Sequence, residues 1–276
     1  MTGITGIDHA LIGVEDLEQA RAAWRRLGFT LSPRGRHIGW GTANYCIMFA
    51  SDYIELLGIL DASQFTNNLD RFLEKGEGLL GAAFSCDDAA ATVEALRAQG
   101  IAAEDPKDLK RILESDAGEE LPRFQLVHLP REATPGVATF VVSHLTPEIV
   151  WRPEWLQHAN GAKGIESFSF AVDDPLSLLP AYARLFGEDA VAGENLRLTV
   201  KTGAARLVFT TPEEAAEIAP LPGRGVPCGV AMAVRVADLR RTRKALEDNS
   251  VDFEEEEDGL RIAPEQANGL ALRFLT

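Results

Sequence analysis

Four copies of one pattern run through the chain, and this repeat limits the folds that the sequence can adopt. Each copy begins with a short apolar run typical of a β-strand, and these runs are HALIGV, AAFSC, SFSFAV and AMAVRV. An acidic residue follows each run, at Asp16, Asp88, Asp174 and Asp238, so the copies are spaced by 72, 86 and 64 residues. A repeat of this length indicates a duplicated supersecondary unit that is too small to form a core alone.

The residues after each aspartate predict a helix. An aspartate side chain can accept hydrogen bonds from the free backbone N–H groups at a helix start, so each of the four suits an N-cap. Apolar residues then recur at helical spacing, as Leu17, Ala20, Trp24 and Leu27 do in the first copy. The helices are expected to end at Gly28, Gly100, Gly187 and Asn249-Ser250.

Two or three short segments of β character follow each predicted helix. They are FTLS, NYCIMF and YIELLGI in the first copy and IAAED, FQLVHLP and ATFVVSH in the second. The third copy has LRLTVK and ARLVFTT, and the fourth has VDFEEE, LRIAP and LALRFL. The order strand, helix, two or three strands therefore occurs four times.

Two copies per domain predict an N-terminal domain over residues 1–150 and a C-terminal domain over 151–276. The segment HLTPEIVWRPEWLQHANGAKG, with two prolines and two tryptophans, is the expected connector. Limited proteolysis is expected to cut near 145–165 or within the polar stretch 104–121 before it cuts the repeats.

The composition excludes several classes of partner. Among 276 residues, 42 acidic side chains outnumber 27 basic ones, and a surface with a net charge of −15 repels nucleic acid and anionic lipid. The first residues lack the basic region and the apolar region that are typical of a signal peptide, and no apolar run approaches the roughly 20 residues of a membrane span. The three separated cysteines indicate neither a disulfide framework nor a zinc motif. A cytoplasmic protein without nucleic-acid or membrane partners is the expectation.

Several motifs resemble a known superfamily. The repeat, the opening IDHALIGVEDL and the later YIELLGI are similar to the vicinal oxygen chelate superfamily, which includes glyoxalase I and the extradiol dioxygenases. The strings GRHIGWGTANYCIMF and HLTPEIVWRPEWLQHANGA resemble its glyoxalase-like subgroup. The resemblance implies an α+β fold with four βαβββ modules, paired into two domains of the glyoxalase/bleomycin-resistance/dihydroxybiphenyl-dioxygenase type. A fold of this kind does not define one chemistry.

The resemblance implies a divalent metal ion held by His9 and Glu55, one residue from the first strand and one from the last strand of the first module. Imidazole and carboxylate together suit Zn, Ni, Mn or Fe, which the sequence does not distinguish. The alternative is a half-exposed strand with Glu55 in water and His9 hydrogen-bonded in the core. The second, third and fourth copies lack both residues. In place of His9 they have Gly81, Ser167 or Phe168, and Ala231, respectively. In place of Glu55 they have Val141 or Val142, Leu207 or Val208, and Ala271 or Leu272. The C-terminal pair is therefore expected to be structural.

A third metal ligand would have to come from another histidine. If Val142 is the counterpart of Glu55, then His144 lies two residues further on and faces the same interior. If Val141 is the counterpart, His144 points outward. His128 is the other candidate.

The glycine-rich turn GRHIGWGTAN supplies further candidates. His37 could act as a general base near neutral pH, and Trp40, Thr42 and Asn44 could contact a substrate. Trp151, His158 and Asn160 of the connector could close over the same cavity, or could only pack one domain on the other.

The leading hypothesis is a lyase or isomerase whose metal chelates two adjacent oxygens of a small substrate and stabilises an enolate or alkoxide. One alternative is a metal-free protein that sequesters a small ligand, and another is an extradiol-type dioxygenase. The partner is a small molecule in each case, and a homodimer remains open.

Overall fold

The first half of the chain forms one nine-stranded sheet. A computed structural model of the protein describes residues 2–115 and 118–276. The strands of this sheet are β1 Ile4–Gly13, β2 Arg34–His37, β3 Thr42–Met48, β4 Tyr53–Ile59, β5 Gly78–Cys86, β6 Lys107–Ser115, β7 Gly118–Glu120, β8 Arg123–His128 and β9 Ala138–His144. Their order is β2-β3-β4-β1-β5-β9-β8-β6-β7, and β2 also pairs with β6. This additional pairing closes the sheet around an interior.

The second half forms an eight-stranded sheet. Its strands are β10 Ala162–Ala171, β11 Val191–Glu194, β12 Arg197–Thr202, β13 Ala205–Thr210, β14 Cys228–Val236, β15 Glu254–Glu256, β16 Gly259–Ile262 and β17 Ala271–Leu275. Their order is β11-β12-β13-β10-β14-β17-β16-β15. In both sheets the first strands of two modules pair antiparallel at the centre, β1 with β5 and β10 with β14, and each also pairs parallel with the last strand of its own module. Four βαβββ modules in an α+β fold are thus confirmed.

In the described part of the chain, seven α-helices connect or cover the sheets. They are α1 Leu17–Arg26, α2 Leu69–Leu73, α3 Ala89–Ala98, α4 Pro147–Val150, α5 Leu179–Phe186, α6 Pro212–Ile218 and α7 Leu239–Asp248. In the described ranges, no helix is both long and apolar enough to cross a membrane.

The helix caps follow the sequence prediction in three copies. The carboxylates of Asp16, Asp88 and Asp238 accept backbone N–H groups at the starts of α1, α3 and α7. In the third copy Asp174 instead accepts the N–H of Ser177, at the start of a 3₁₀ turn that precedes α5.

The predicted strands at FTLS and IAAED are wrong, because both segments lack strand structure. Phe29, Leu31, Ile101 and Ala103 in these segments are nevertheless buried, so the apolar residues indicated burial and not strand pairing. A strand that the sequence did not predict, β6, pairs with both β8 and β2.

One apolar core joins the two sheets. Trp24 of α1 is fully buried, and its indole Nε1–H donates to Asn268 Oδ1 at 2.9 Å. Phe29 stacks on Phe274 of β17 with ring centroids 5.8 Å apart. Elements of the first half therefore complete the core beside the second sheet.

Side chains of the first sheet alternate between this core and the interior of the closed sheet. In β4, Ile54 and Leu56 lie in the shared core, whereas Tyr53 and Glu55 face the interior cavity. This alternation, which follows from the two-residue period of a strand, brings the candidate residues together.

Candidate active site

An irregularity in β1 places two polar side chains next to each other. Ile7 is paired with Phe84 and His9 with Ala83, so Asp8 is the extra residue of a β-bulge. His9 Nδ1 donates to Asp8 Oδ1 at 2.6 Å, and both side chains are buried. The bulge lets neighbours in sequence act as a carboxylate–imidazole pair.

Glu55 connects two histidines on the cavity wall. His9 Nε2 lies 3.3 Å from Glu55 Oε2, and His37 Nε2 lies 3.8 Å from Glu55 Oε1. The side-chain amide of Asn44 also donates to Glu55 Oε1. The alternative reading of Glu55 as a solvated strand residue is therefore wrong, because the carboxylate is 6% exposed.

His37 lies at the end of β2, where a turn leads into β3. Its Nδ1 forms a 2.9 Å hydrogen bond with Thr42 Oγ1, which directs Nε2 towards Glu55. Trp40 in the same turn lies against His37, with ring centroids 5.8 Å apart. The glycine-rich turn thus contributes His37, Trp40 and Thr42 to the cavity wall.

The two histidines on Glu55 have pKa values shifted in opposite directions. Burial opposes the charge on His9, but its hydrogen bonds and ion pairs with Asp8 and Glu55 outweigh this and raise its pKa to about 9. Burial lowers the pKa of His37, helped by the positive charge of Arg111 and only partly opposed by Glu55. Burial likewise disfavours the Glu55 charge, but the two histidines and Asn44 lower its pKa to about 2. At neutral pH the site therefore holds a charged His9, a neutral His37 and a charged Glu55.

The cavity in front of these residues has a volume of about 340 Å³. Four aromatic side chains contribute to its wall: Trp40, Tyr53, Phe124 and Phe140. Size and lining suit a small organic molecule with an apolar part.

The sequence analysis missed two residues of this region, Asp8 and Arg111. Asp8 carried a signal, since two adjacent polar residues within an apolar strand indicate a bulge. Arg111 lies in LKRIL, where Leu109 and Leu113 flank it at strand spacing. That alternation places Arg111 on the inward face of β6, and the side chain is only 3% exposed.

The three expected metal ligands do not converge. Val142 faces the cavity and Val141 the core, as the first alternative for His144 required. His144 nevertheless lies behind His9, where its Nε2 contacts Asp8 Oδ2 at 3.0 Å. Within residues 2–115 and 118–276, no three His, Cys, Asp or Glu side chains form a group suited to a metal ion. His128 lines the cavity but does not complete such a group.

The connector residues lie outside the cavity wall. Trp151 packs on His144 with ring centroids 4.6 Å apart and donates to the carbonyl of Phe49. His158 Nδ1 accepts the N–H of Thr30, and its Nε2 donates to the carbonyl of Met48. These contacts attach the connector to the first sheet.

Asn160 also attaches the connector to the first half of the chain. Its side-chain amide donates to the Leu27 carbonyl, and its Oδ1 accepts the N–H of Ala162. The structure thus brings together His9, His37, Trp40, Thr42, Asn44 and Glu55, but not Trp151, His158 or Asn160.

The second sheet repeats the bulge with other residues. In β10 the register shifts between Ile165 and Ser167, so Glu166 and Ser167 occupy the places of Asp8 and His9. Glu166 forms ion pairs with Arg206 and Arg235. This arrangement is an ordinary ion-pair network on the sheet and contains no imidazole.

The sequence matches the model of a known family. The model of the glyoxalase-like domain family matches residues 7–186, and the chain belongs to this family. The resemblance to the vicinal oxygen chelate superfamily is therefore confirmed.

Solved structures share the fold at low sequence identity. A hypothetical protein from Staphylococcus aureus is 14% identical with a TM-score of 0.69, and the match covers 97% of this chain and 98% of that one. A mutant 4-hydroxymandelate synthase from Streptomyces coelicolor is 14% identical with a TM-score of 0.60, covering 99% of this chain and 92% of that one. A comparison with curated proteins gave no match. At such identities these likenesses concern the fold alone.

Proposed function

We propose that the protein is a lyase or isomerase that moves a proton at a carbon next to a carbonyl group. The observation that carries this proposal is that two histidines lie at one carboxylate, and that the pKa of His9 is raised to about 9 whereas the pKa of His37 is lowered. Environments that separate the pKa values of two neighbouring groups are typical of an acid and a base.

His37 is the proposed base. It is neutral at pH 7 because burial lowers its pKa, so it can accept a proton. The hydrogen bond with Thr42 fixes the ring, and Glu55 stabilises the imidazolium that forms because its carboxylate is 3.8 Å from Nε2.

His9 is the proposed acid. Its charged ring carries a proton on Nε2 that is shared with Glu55 at 3.3 Å and can be donated to a carbonyl oxygen. The negative charge that develops on that oxygen is stabilised by the imidazolium, and Asp8 holds the ring in place through Nδ1.

A divalent metal does not fit these side chains as they stand. His9 and Glu55 contact each other directly as an ion pair, and the expected third ligand, His144, is bound to Asp8. His9 forms ion pairs with both Asp8 and Glu55, and Asn44 donates to Glu55, so these two carboxylates have partners without a cation. The proposed proton transfer therefore uses protein groups alone.

Hydrogen–deuterium exchange tests the proposal. Small ketones and 2-oxo acids are incubated with the enzyme in D₂O, and loss of the C–H signal beside the carbonyl is followed by NMR. We expect exchange with wild type and a loss of 100-fold or more in His37→Gln and His9→Gln, the usual scale of general acid–base catalysis. His158→Gln, the same substitution outside the cavity, is the control.

Two results would contradict the proposal. One is wild-type exchange no faster than buffer across the panel, which would favour the ligand-sequestering alternative. The other is activity that disappears with EDTA and returns with Zn²⁺, Ni²⁺, Mn²⁺ or Fe²⁺, which would restore the metal hypothesis.

A further inference from the structure

Arg111 is a buried charge on the cavity wall, and among the described residues its guanidinium has no acidic partner. Its side chain is 3% exposed, and Nη1 donates to the thiol of Cys46 at 3.2 Å. Its Nε is buried and has no hydrogen-bond partner among the described residues. Within residues 2–115 and 118–276, no carboxylate oxygen lies within 4.0 Å of a guanidinium nitrogen of Arg111.

This arrangement leaves the guanidinium poorly satisfied. Burial raises the pKa of the Cys46 thiol, so the thiol is neutral and cannot balance the charge. An isolated buried charge costs several kcal/mol, and a guanidinium cannot lose its proton at physiological pH. Its planar set of donors matches a carboxylate in a two-point hydrogen bond.

The register of the sheet connects Arg111 to the proposed chemistry. His37 and Arg111 are directly paired in the antiparallel β2–β6 ladder. Side chains paired in this way lie on the same face, with Cβ atoms about 5 Å apart. An anion bound by Arg111 therefore has its neighbouring carbon atoms close to His37.

The rest of the cavity selects the remaining part of the ligand. Phe124, Phe140 and Trp40 provide an apolar wall. Arg131, which is exposed, also lines the cavity and adds positive charge in a protein of net charge −15. Glu55, the acidic residue of the wall, is occupied by His9 and Asn44.

We propose that Arg111 binds the carboxylate of a small organic acid with an apolar or aromatic body, and thereby presents the adjacent carbon to His37. This inference rests on the proposed function for the role of His37, whereas the carboxylate site itself does not depend on it.

Two probes of equal shape test the carboxylate site. Binding of phenylacetate and of its neutral analogue phenylacetamide is measured by calorimetry at low salt. We expect wild type to prefer phenylacetate by about 10- to 100-fold, the scale of hydrogen bonds to a charged group. Arg111→Met should lose this preference, and Arg111→Lys, which keeps the charge but not the planar donors, should retain a part of it. Equal binding of both probes, binding of neither, or an undiminished preference in Arg111→Met would overturn the proposal.

The same variants separate this inference from the proposed function. In His37→Gln the preference for phenylacetate should persist while proton exchange is lost. A carboxylate preference without exchange on any compound would contradict only the proposed function. Exchange on neutral ketones and on 2-oxo acids at the same rate in wild type and Arg111→Met would contradict only the role of Arg111. The melting temperature of each variant shows whether it is folded.

Discussion

At the scale of single residues, Asp8 contacts two histidines at once. One of its oxygens accepts from His9 at 2.6 Å, and the other lies 3.0 Å from His144. Burial disfavours the charge of Asp8, but these two histidines hold the pKa of its carboxyl well below the usual range. Removing this carboxylate leaves the rings of His9 and His144 without their hydrogen-bond partner in the protein interior.

We expect Asp8→Asn to lower the free energy of unfolding at pH 7 by about 3 kcal/mol, the cost of removing one partner from a buried ion pair. The pKa of His9, about 9 in the intact site, should fall because its closest negative charge is gone. Urea unfolding and an NMR titration of the histidines measure the two effects. Asp173→Asn, at an exposed position, should change neither. An unchanged His9 titration would show that Asp8 does not control the ring.

His158 should make stability fall as the pH falls. Burial lowers its folded-state pKa to about 4 from a usual 6.5, while contacts with Thr30 and Met48 use both ring nitrogens. The unfolded chain therefore binds the proton first, and the stabilisation present above pH 6.5 is lost as the pH falls to 4. The loss is about 3 kcal/mol, from 1.4 kcal/mol per pKa unit.

The difference between wild type and His158→Gln isolates this effect. Burial raises the pKa of Asp52 to about 6, so protonation of Asp52 increases stability over an overlapping pH range. This contribution is the same in wild type and in His158→Gln. The difference in unfolding free energy between wild type and His158→Gln should decrease from pH 7 to pH 4. A difference that stays constant over this pH range would contradict a lowered pKa of His158 in the folded state.

At the scale of elements, close packing of β2, β3 and β6 positions the site. A Cβ atom on Gly35 of β2 would lie 2.2 Å from Asn44 Oδ1 and 3.0 Å from Arg111 Cδ. Glycine at this position therefore leaves the space that Asn44 occupies when it donates to Glu55.

Gly35→Ala should consequently displace Asn44 and Arg111 together. We expect a loss of about 1 to 3 kcal/mol in unfolding free energy from overpacking, with weaker carboxylate binding in the calorimetric assay. Gly223→Ala is the matched control, because nothing lies within 4 Å of its added methyl group. Equal stability of the two variants would mean that β2 and β6 separate without cost.

At the scale of the whole molecule, the two halves depend on one core. Trp24 and Phe29 of the first module contact Asn268 and Phe274 of the last. A fragment that ends at residue 150 would expose these side chains to water, which costs roughly 2 kcal/mol for each buried aromatic residue.

We therefore expect one cooperative thermal transition of the intact chain, with equal calorimetric and van't Hoff enthalpies. The fragment 1–150 alone should lack a cooperative transition. Two separate transitions, or a stably folded fragment, would show that the halves are independent domains. Trp24→Phe, which removes the hydrogen bond to Asn268, should lower the midpoint temperature of the single transition without dividing it into two.

Much of the architecture could be predicted because it depends on local patterns. Short segments of β character predicted β1, β4 and β9. Three of the four aspartate caps were correct, since a cap depends only on the helical turn that follows it. FTLS and IAAED failed because strand pairing depends on neighbours that are distant in sequence. The unpredicted β6 forms by pairing with β8 and β2 for the same reason.

The sequence by itself determined the fourfold repeat, the family resemblance, and His9, Glu55 and His37 as residues able to carry chemistry. Only the tertiary structure decided their partners: a bulge directs Asp8 to His9, and His144 lies behind the site and not in it. Only sheet closure brings Arg111 beside His37, through strands whose paired residues are 74 positions apart. Residue types and short periods are written locally in the chain, whereas burial, charge pairing and pKa shifts depend on the distances that the folded sheet creates.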